Sequence, residues 1–343
     1  MKTKVLNFTV AFLLVMIFST GLSTTGMAQR TRRSAAPPKA ENDLLAALPE
    51  SDAVALIKVH QLLDEGLPKI LAENPAKLAE TNAEIEKFKT RTGIDPRTLD
   101  QLALGMRYSY PREGITKVDT VALARGSFKA PAFVAAGRIA ANGKYREEKY
   151  RGYTIYIFTL DQQLKVLGLF NTTVHDLAVS ALESNLLALG TPATVRSVID
   201  LGKTRRAGNA ELIKLATQDP NALIGFGGNV TPAVLQNLKL GNEAVAKDVS
   251  TIRQVYGTVG LSAKDLEMFL AARTTDAVSA KSLSDTLEGL KQLGAFFVGR
   301  LPAPKGSVAR TALDNLKITT QGNELRIRTA VAQAQIGPLM RGM

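Results

Sequence analysis

Pairs of short apolar segments joined by polar turns occur in both halves of the chain, and they restrict the fold more than any other feature. Leu102–Tyr108 and Thr120–Phe128 flank the polar loop Pro111-Arg112-Glu113-Gly114, and Tyr256–Ala263 and Leu266–Arg273 flank Lys264-Asp265. Alternation at a period of two, broken by turn residues, predicts antiparallel strands half-buried on one face. Tyr153–Phe158 is β-branched and aromatic and predicts another strand, with more at Lys165–Phe170, Leu177–Leu182 and Leu186–Leu189. Leu316–Thr320 and Leu325–Val331 flank Gln321-Gly322-Asn323 and predict a hairpin.

Helices fall between these pairs. Val54–Val59 reads as a buried strand followed by a helix over His60–Leu71. Asn74 and Pro75 open a second helix, whose stripe is Leu78, Ile85 and Phe88. Ala130–Ala141 predicts a third, and Thr191-Pro192 opens a fourth that ends at Leu201-Gly202. Asp276 caps a long helix with Ala280, Leu283, Leu287, Leu290 and Phe297 on one face, and a short helix is expected at the C-terminus.

Both halves read strand-helix, strand-strand-helix, strand-strand-helix. AVALIKVHQLLDEGL aligns in type with ALIGFGGNVTPAVLQNL, and ESNLLALGTPATVRSVID with NELRIRTAVAQAQIGPLM. The expected class is α+β: two tandem related units, 44–206 and 207–343, each an antiparallel sheet with helices packed on one face.

Ahead of these lie a leader and a linker. Lys2 and Lys4 precede the mainly apolar run Val5–Leu22, and Gly26-Met27-Ala28 offers small residues at the positions a signal peptidase reads. Residues 1–28 are therefore expected to be a signal peptide cleaved before Gln29, placing the protein outside the cytoplasm, periplasmic or secreted. The alternative is an uncleaved anchor holding a membrane-tethered scaffold. Residues 29–43 are basic and Pro-containing, which suits a flexible linker or attraction to an anionic membrane surface.

The formal charge is +12, and about +10 without the leader. Such a balance attracts anionic partners, but export argues against nucleic acid. With no Cys in the chain, disulfides, thiolate metal sites and Cys nucleophiles are excluded. His60 and His175 are the two histidines, and HExxH cannot be written with them.

Several stretches approach known chemistry without completing it. Gly225-Phe226-Gly227-Gly228 lacks the third glycine of a dinucleotide loop, since Val230 stands there, and reads as a permissive turn or bulge. Gly202-Lys203-Thr204 resembles the end of a P-loop, but Ser197 occupies the first glycine position inside a predicted helix; Lys203, Arg205 and Arg206 read as a basic helix terminus. Adjacent Glu147 and Glu148 face opposite sides of a strand and cannot act as an acid/base pair. Ser262 lacks the GxSxG or SxxK context of a nucleophile. His60 lies at a strand-to-helix boundary and His175 in the polar loop Asn171–Asp176; either reads more simply as a capping or exposed residue than as a base. Asn171-Thr172-Thr173 and Asn229-Val230-Thr231 match the glycosylation sequon. No catalytic, cofactor-binding or metal-ligating residue is assigned.

The order of short motifs resembles a group of uncharacterised extracytoplasmic bacterial proteins filed as domains of unknown function. Leu48-Pro49 with Asp52-Ala53, Gly93-Ile94-Asp95-Pro96, Tyr150-Arg151-Gly152, and Gly190 with Val195-Arg196-Ser197-Val198-Ile199-Asp200 carry it. The resemblance implies an exported α+β protein with no assigned activity. The expected function is a non-catalytic binding protein of the cell envelope, its ligand lipid-like or another envelope protein. A hydrolase of an envelope polymer is the alternative, and would need two inward-facing carboxylates in a cleft.

Overall fold

The computed structural model describes residues 39–92, 95–112, 115–166, 170–204, 208–236, 242–298, 310–311 and 313–333. The expected signal peptide, most of the linker and the C-terminal helix lie outside these residues, as do Arg205 and Arg206. Among the described residues no helix is long and apolar enough to cross a membrane.

Twelve strands form one antiparallel sheet. In chain order they are β1 (Ala53–Ile57), β2 (Leu99–Arg112), β3 (Ile115–Gly126), β4 (Tyr145–Tyr150), β5 (Tyr153–Val166) and β6 (Phe170–Glu183). Then come β7 (Leu186–Gly190), β8 (Ala222–Asn229), β9 (Ile252–Leu261), β10 (Asp265–Thr274), β11 (Lys317–Gln321) and β12 (Glu324–Ala332). Their order across the sheet is β11-β12-β10-β9-β8-β1-β2-β3-β7-β6-β5-β4.

The first helices are α1 (Lys39–Ala46), α2 (Val59–Gln61), a π turn at Leu62–Gly66, α3 (Leu67–Ile70), α4 (Pro75–Thr92) and α5 (Ala130–Ala141). Further along are α6 (Pro192–Thr204), α7 (Ala210–Ala216), α8 (Pro232–Gln236), α9 (Glu243–Val249) and α10 (Ala277–Val298).

The α+β class and the antiparallel pairing are as the alternating pattern predicts. The arrangement differs in two respects. First, the strands of both halves of the chain lie in one sheet, because β1 pairs antiparallel with β8 from Ala53↔Gly228 to Ile57↔Ile224. Outward from this seam the succession β1-β2-β3-β7-β6 on one side is matched by β8-β9-β10-β12-β11 on the other, with β5 and β4 added to the first. Second, helices cover both faces. Both faces of the central strands are apolar: Val54 and Leu56 enter one core cluster, and Ile57 and Ala55 another. A two-sided strand must be covered twice to leave water.

On the first face α1, α6 and α7 pack over Val54, Leu56, Val121, Leu123, Ile155 and Ala188. The second face is covered by the helices after β1 and by α5 over Leu102, Leu104, Phe158 and Leu187, and by α10 over Ala272 and Leu325. Of the stripe predicted for α10, Ala280 and Leu283 are buried and Leu287 packs against the core. Leu290 and Phe297 are exposed, together with Leu293 and Phe296, because the later turns run beyond that packing.

Glycines set the spacing of the seam. A Cβ on Gly225 would lie 1.9 Å from the Ala216 carbonyl oxygen, and one on Gly227 would lie 3.0 Å from that of Leu212. The glycine run is thus part of β8 and not a turn. It lets the backbone of α7 rest directly on the strand.

Candidate functional site

Period-two alternation along β12 sends Leu325 and Ile327 to the second face, under α10, and Glu324, Arg326 and Arg328 to the first. Register carries the same rule across β10 and β9. Glu324 pairs with Arg273, which pairs with Gln254; Arg326 pairs with Ala271, which pairs with Tyr256; Arg328 pairs with Phe269, which pairs with Thr258. Three rows of side chains therefore cross the first face of the C-terminal half. Helix α7 stands over β8 and β9 at one side of them. The principal helix contacts of β12 and β11 are with α10, on the second face.

Between α7 and β12 lies a cavity of about 500 Å3, lined by Ile213, Lys214, Thr217, Tyr256, Glu324 and Arg326 among others. A cavity of this size is within the range of small-molecule sites. Its one aromatic lining residue is the buried Tyr256, whose ring lies 5.8 Å from that of Phe269 at 60°. Guanidinium groups sit over both rings, Arg273 at 5.4 Å from the Tyr256 centroid and Arg328 at 4.7 Å from that of Phe269. The ring quadrupole holds a cation in that position.

Glu324 ties the wall together. Arg273 Nε donates to its Oε1 at 2.7 Å, while Arg326 Nε and Nη2 donate to its Oε2 at 3.1 and 2.6 Å. Arg273 Nη1 also donates to Glu211 Oε1 at 2.8 Å and to Gln254 Oε1 at 3.0 Å. Burial opposes the charged form of Glu324, but hydrogen bonds with Arg273, Arg326 and Tyr256 outweigh it and hold the carboxyl below the usual range. Burial, followed by the hydrogen bond with Glu324, raises the Tyr256 phenol. Around neutral pH the carboxylate stays charged and the phenol neutral, so neither is poised to exchange a proton. The chemistry available here is recognition, by aliphatic side chains and fixed cations.

A second, smaller hollow of about 210 Å3 lies at the seam, lined by Glu50, Asp52, Arg107, Asn209, Glu211 and Asn229 among others. Its polar groups are engaged in the fold. Buried Asn209 accepts from the Ser51 amide at 3.0 Å and donates to the Pro49 carbonyl at 2.9 Å. Asp52 Oδ2 accepts from the Tyr108 amide at 2.7 Å.

The residues weighed in the sequence lie apart from the cavity. His60 Nδ1 is 2.8 Å from Asp64 Oδ2 in a surface network, where Arg97 also reaches Asp64 at 3.0 Å. His175 falls within β6 and not in a polar loop; the strands of this hairpin are longer than their apolar cores suggest. Helix α6 runs through Gly202 to Thr204, so the P-loop-like stretch forms no loop. Glu148 faces Arg196 with two contacts of 2.6 Å, and Glu147 faces Arg138 at 3.2 Å, on opposite sides of β4. The Arg196 bonds outweigh desolvation and lower the Glu148 carboxyl. Ser262 closes the turn after β9 by bonding to the Asp265 backbone. Among the described residues there is no group of three or more His, Asp or Glu able to hold a metal ion.

No family model and no curated protein matches this chain. Its fold is similar to solved structures of TP0453. Crystal form III gives a TM-score of 0.41 at 12% identity over 88% of this chain and 98% of that one. Crystal form IV gives 0.41 at 10% over 87% and 95%, and crystal form I gives 0.39 at 11% over 87% and 96%. Similarity of this size transfers no property to the chain.

Sequence reasoning did not single out Tyr256, Phe269, Arg273, Glu324, Arg326 or Arg328. One signal was present: Glu324, Arg326 and Arg328 alternate with Leu325, Ile327 and Thr329, which puts three charges on one face of a strand.

Proposed function

We propose that this chain is an exported, non-catalytic binding protein of the cell envelope, and that its ligand lies in the trough between α7 and β12. The observation that carries this reading is the cavity of about 500 Å3 itself, lined by Ile213, Leu215 and Thr217 and edged by the fixed guanidinium groups of Arg273 and Arg326. A cavity lined by aliphatic side chains and fixed cations suits a ligand with an apolar part, which supports the lipid-like ligand. The carboxylates on this face support the same choice. Glu211 and Glu324 are both tied to Arg273 and leave no free acid/base pair.

The reading is tested by titrating the chain with 1-decanol, a neutral aliphatic probe, while following backbone amide resonances. Shifts should concentrate at Tyr256, Ala271 and Ile213. Saturating shifts elsewhere with none in the trough would refute it. Native mass spectrometry of protein recovered from its host envelope would then identify the natural ligand by mass and show whether the chain begins at Gln29.

A further inference from the structure

The cavity beside α7 is lined by more cations than anions. Lys214, Arg273 and Arg326 line it, and the one carboxylate among its lining residues is that of Glu324. Both oxygens of that carboxylate are committed, Oε1 to Arg273 Nε and Oε2 to Arg326 Nε and Nη2. Glu211 stands three residues before Lys214 on α7, a spacing at which the two could pair. It reaches across to Arg273 Nη1 at 2.8 Å instead, and among the described residues Lys214 forms no ion pair. Arg273 is fixed by Glu324, Glu211 and Gln254 through Nε and Nη1, and among the described residues its Nη2 makes no hydrogen bond. One hollow is thus lined by an ammonium with no counter-ion and by an oriented guanidinium with one nitrogen unused. Such donors match the oxygens of a phosphate or carboxylate. Lys214 sits in the last turn of α7, where a cation suits the helix dipole, but that benefit does not require its side chain to line a cavity that already holds two guanidiniums.

We propose that Lys214 and Arg273 Nη2 bind the anionic group of the cavity's ligand, a phosphate or carboxylate, with the ligand's apolar part against Ile213 and Leu215. This inference rests on the cavity reading above and adds the ligand's chemical class: an anionic amphiphile. Arg326 forms the β12 side and takes no part in holding the anion, because each of its guanidinium nitrogens is engaged by Glu324 or Gln321. A free phosphate would satisfy the same two donors, and the experiment separates the two sources.

Decyl phosphate, 1-decanol and inorganic phosphate are titrated against the wild-type chain, Lys214→Gln and Lys281→Gln while backbone amide resonances are followed. Both lysines are exposed helix residues, and Lys281, on α10, does not line the cavity and controls for the loss of one net charge. Arg273 is left intact because it joins Glu324 to Glu211. Decyl phosphate should bind the wild type and Lys281→Gln roughly 10- to 100-fold more tightly than decanol, with shifts at Lys214 and Ile213. Lys214→Gln should lose most of that preference and keep its affinity for decanol. A preference that survives in Lys214→Gln, or that falls equally in Lys281→Gln, would overturn the proposal. Decanol binding in the cavity with no preference for the phosphate would uphold the cavity reading and refute the anion site. Inorganic phosphate that shifts Lys214 while neither alkyl probe enters the cavity would uphold the anion site and refute the amphiphile. Cavity resonances that respond to none of the three probes would refute both readings.

Discussion

Arg273 and Glu324 are direct cross-strand neighbours on β10 and β12, and the Arg273 Nε donates to Glu324 Oε1 at 2.7 Å. Through this one pair the wall of the trough is joined both to α7, by Glu211, and to β9, by Gln254. A carboxylate shared by two guanidiniums is geometrically defined, and its removal leaves both cations under-compensated.

Glu324→Gln should therefore destabilise the fold by about 1–3 kcal/mol at neutral pH. The dependence on pH has a definite sign. The carboxyl of Glu324 is lowered in the folded state. Its contribution is fully present above the unfolded value of about 4.3 and is lost as pH falls through the folded one. Urea unfolding of wild type and variant should differ at pH 7 and converge as the pH is taken well below 4. A difference that stays constant with pH would show that the pair contributes by packing alone.

Gly225→Ala should be costly and Gly289→Ala should not. A methyl at 225 meets the Ala216 carbonyl at 1.9 Å, so α7 must lift from β8, with an expected loss of about 1–3 kcal/mol or more. A methyl at 289, within α10, meets nothing within 4 Å and should stabilise the helix by up to about 1 kcal/mol. Thermal melts of both variants check the pair of signs. The first variant should also weaken decanol binding, because α7 forms one side of the trough.

Asn209→Ala should destabilise by about 1–3 kcal/mol, since it strands the Ser51 amide, while the Pro49 carbonyl keeps only the Ser51 hydroxyl as donor. Asn209→Asp keeps the acceptor for Ser51 but loses the donor to Pro49. It should be no better than alanine at neutral pH, where the buried group would carry charge. Chemical denaturation of both variants decides this.

The Glu148–Arg196 contact should contribute little despite its two short bonds, because both side chains are substantially exposed. A double-mutant cycle should give a coupling of about 1 kcal/mol or less, shrinking as salt is raised.

The sequence showed the elements more clearly than their assembly. Asn74 and Asp276 cap the helices predicted for them, accepting from Lys77 and Ser279 amides. Hairpin partners close in sequence were legible because a turn sets their register. The β1–β8 seam was not, since nothing local in Val54–Ile57 or Ala222–Phe226 names a partner so distant in the chain. Gly225 and Gly227 were legible as unusual but not as a docking surface, because the atom that needs their space is a carbonyl of another element. At the trough, Glu324, Arg326 and Arg328 were visible as an alternating triplet. Tyr256, Phe269 and Arg273 become their neighbours only through the β9–β10–β12 register.

The central pairing of β1 with β8 also imposes an order of events. A chain made from its N-terminus completes β1, β2 and β3 long before β8 exists. Until then, one edge of β1 waits with its N–H and C=O groups unpaired in the middle of what will become the sheet. Closing that gap is a long-range step and should be slow. While it is open, the edge is a template for any extended segment nearby, including the β8 of another copy. The feature that makes the finished sheet continuous thus makes the unfinished chain vulnerable to exchange between molecules.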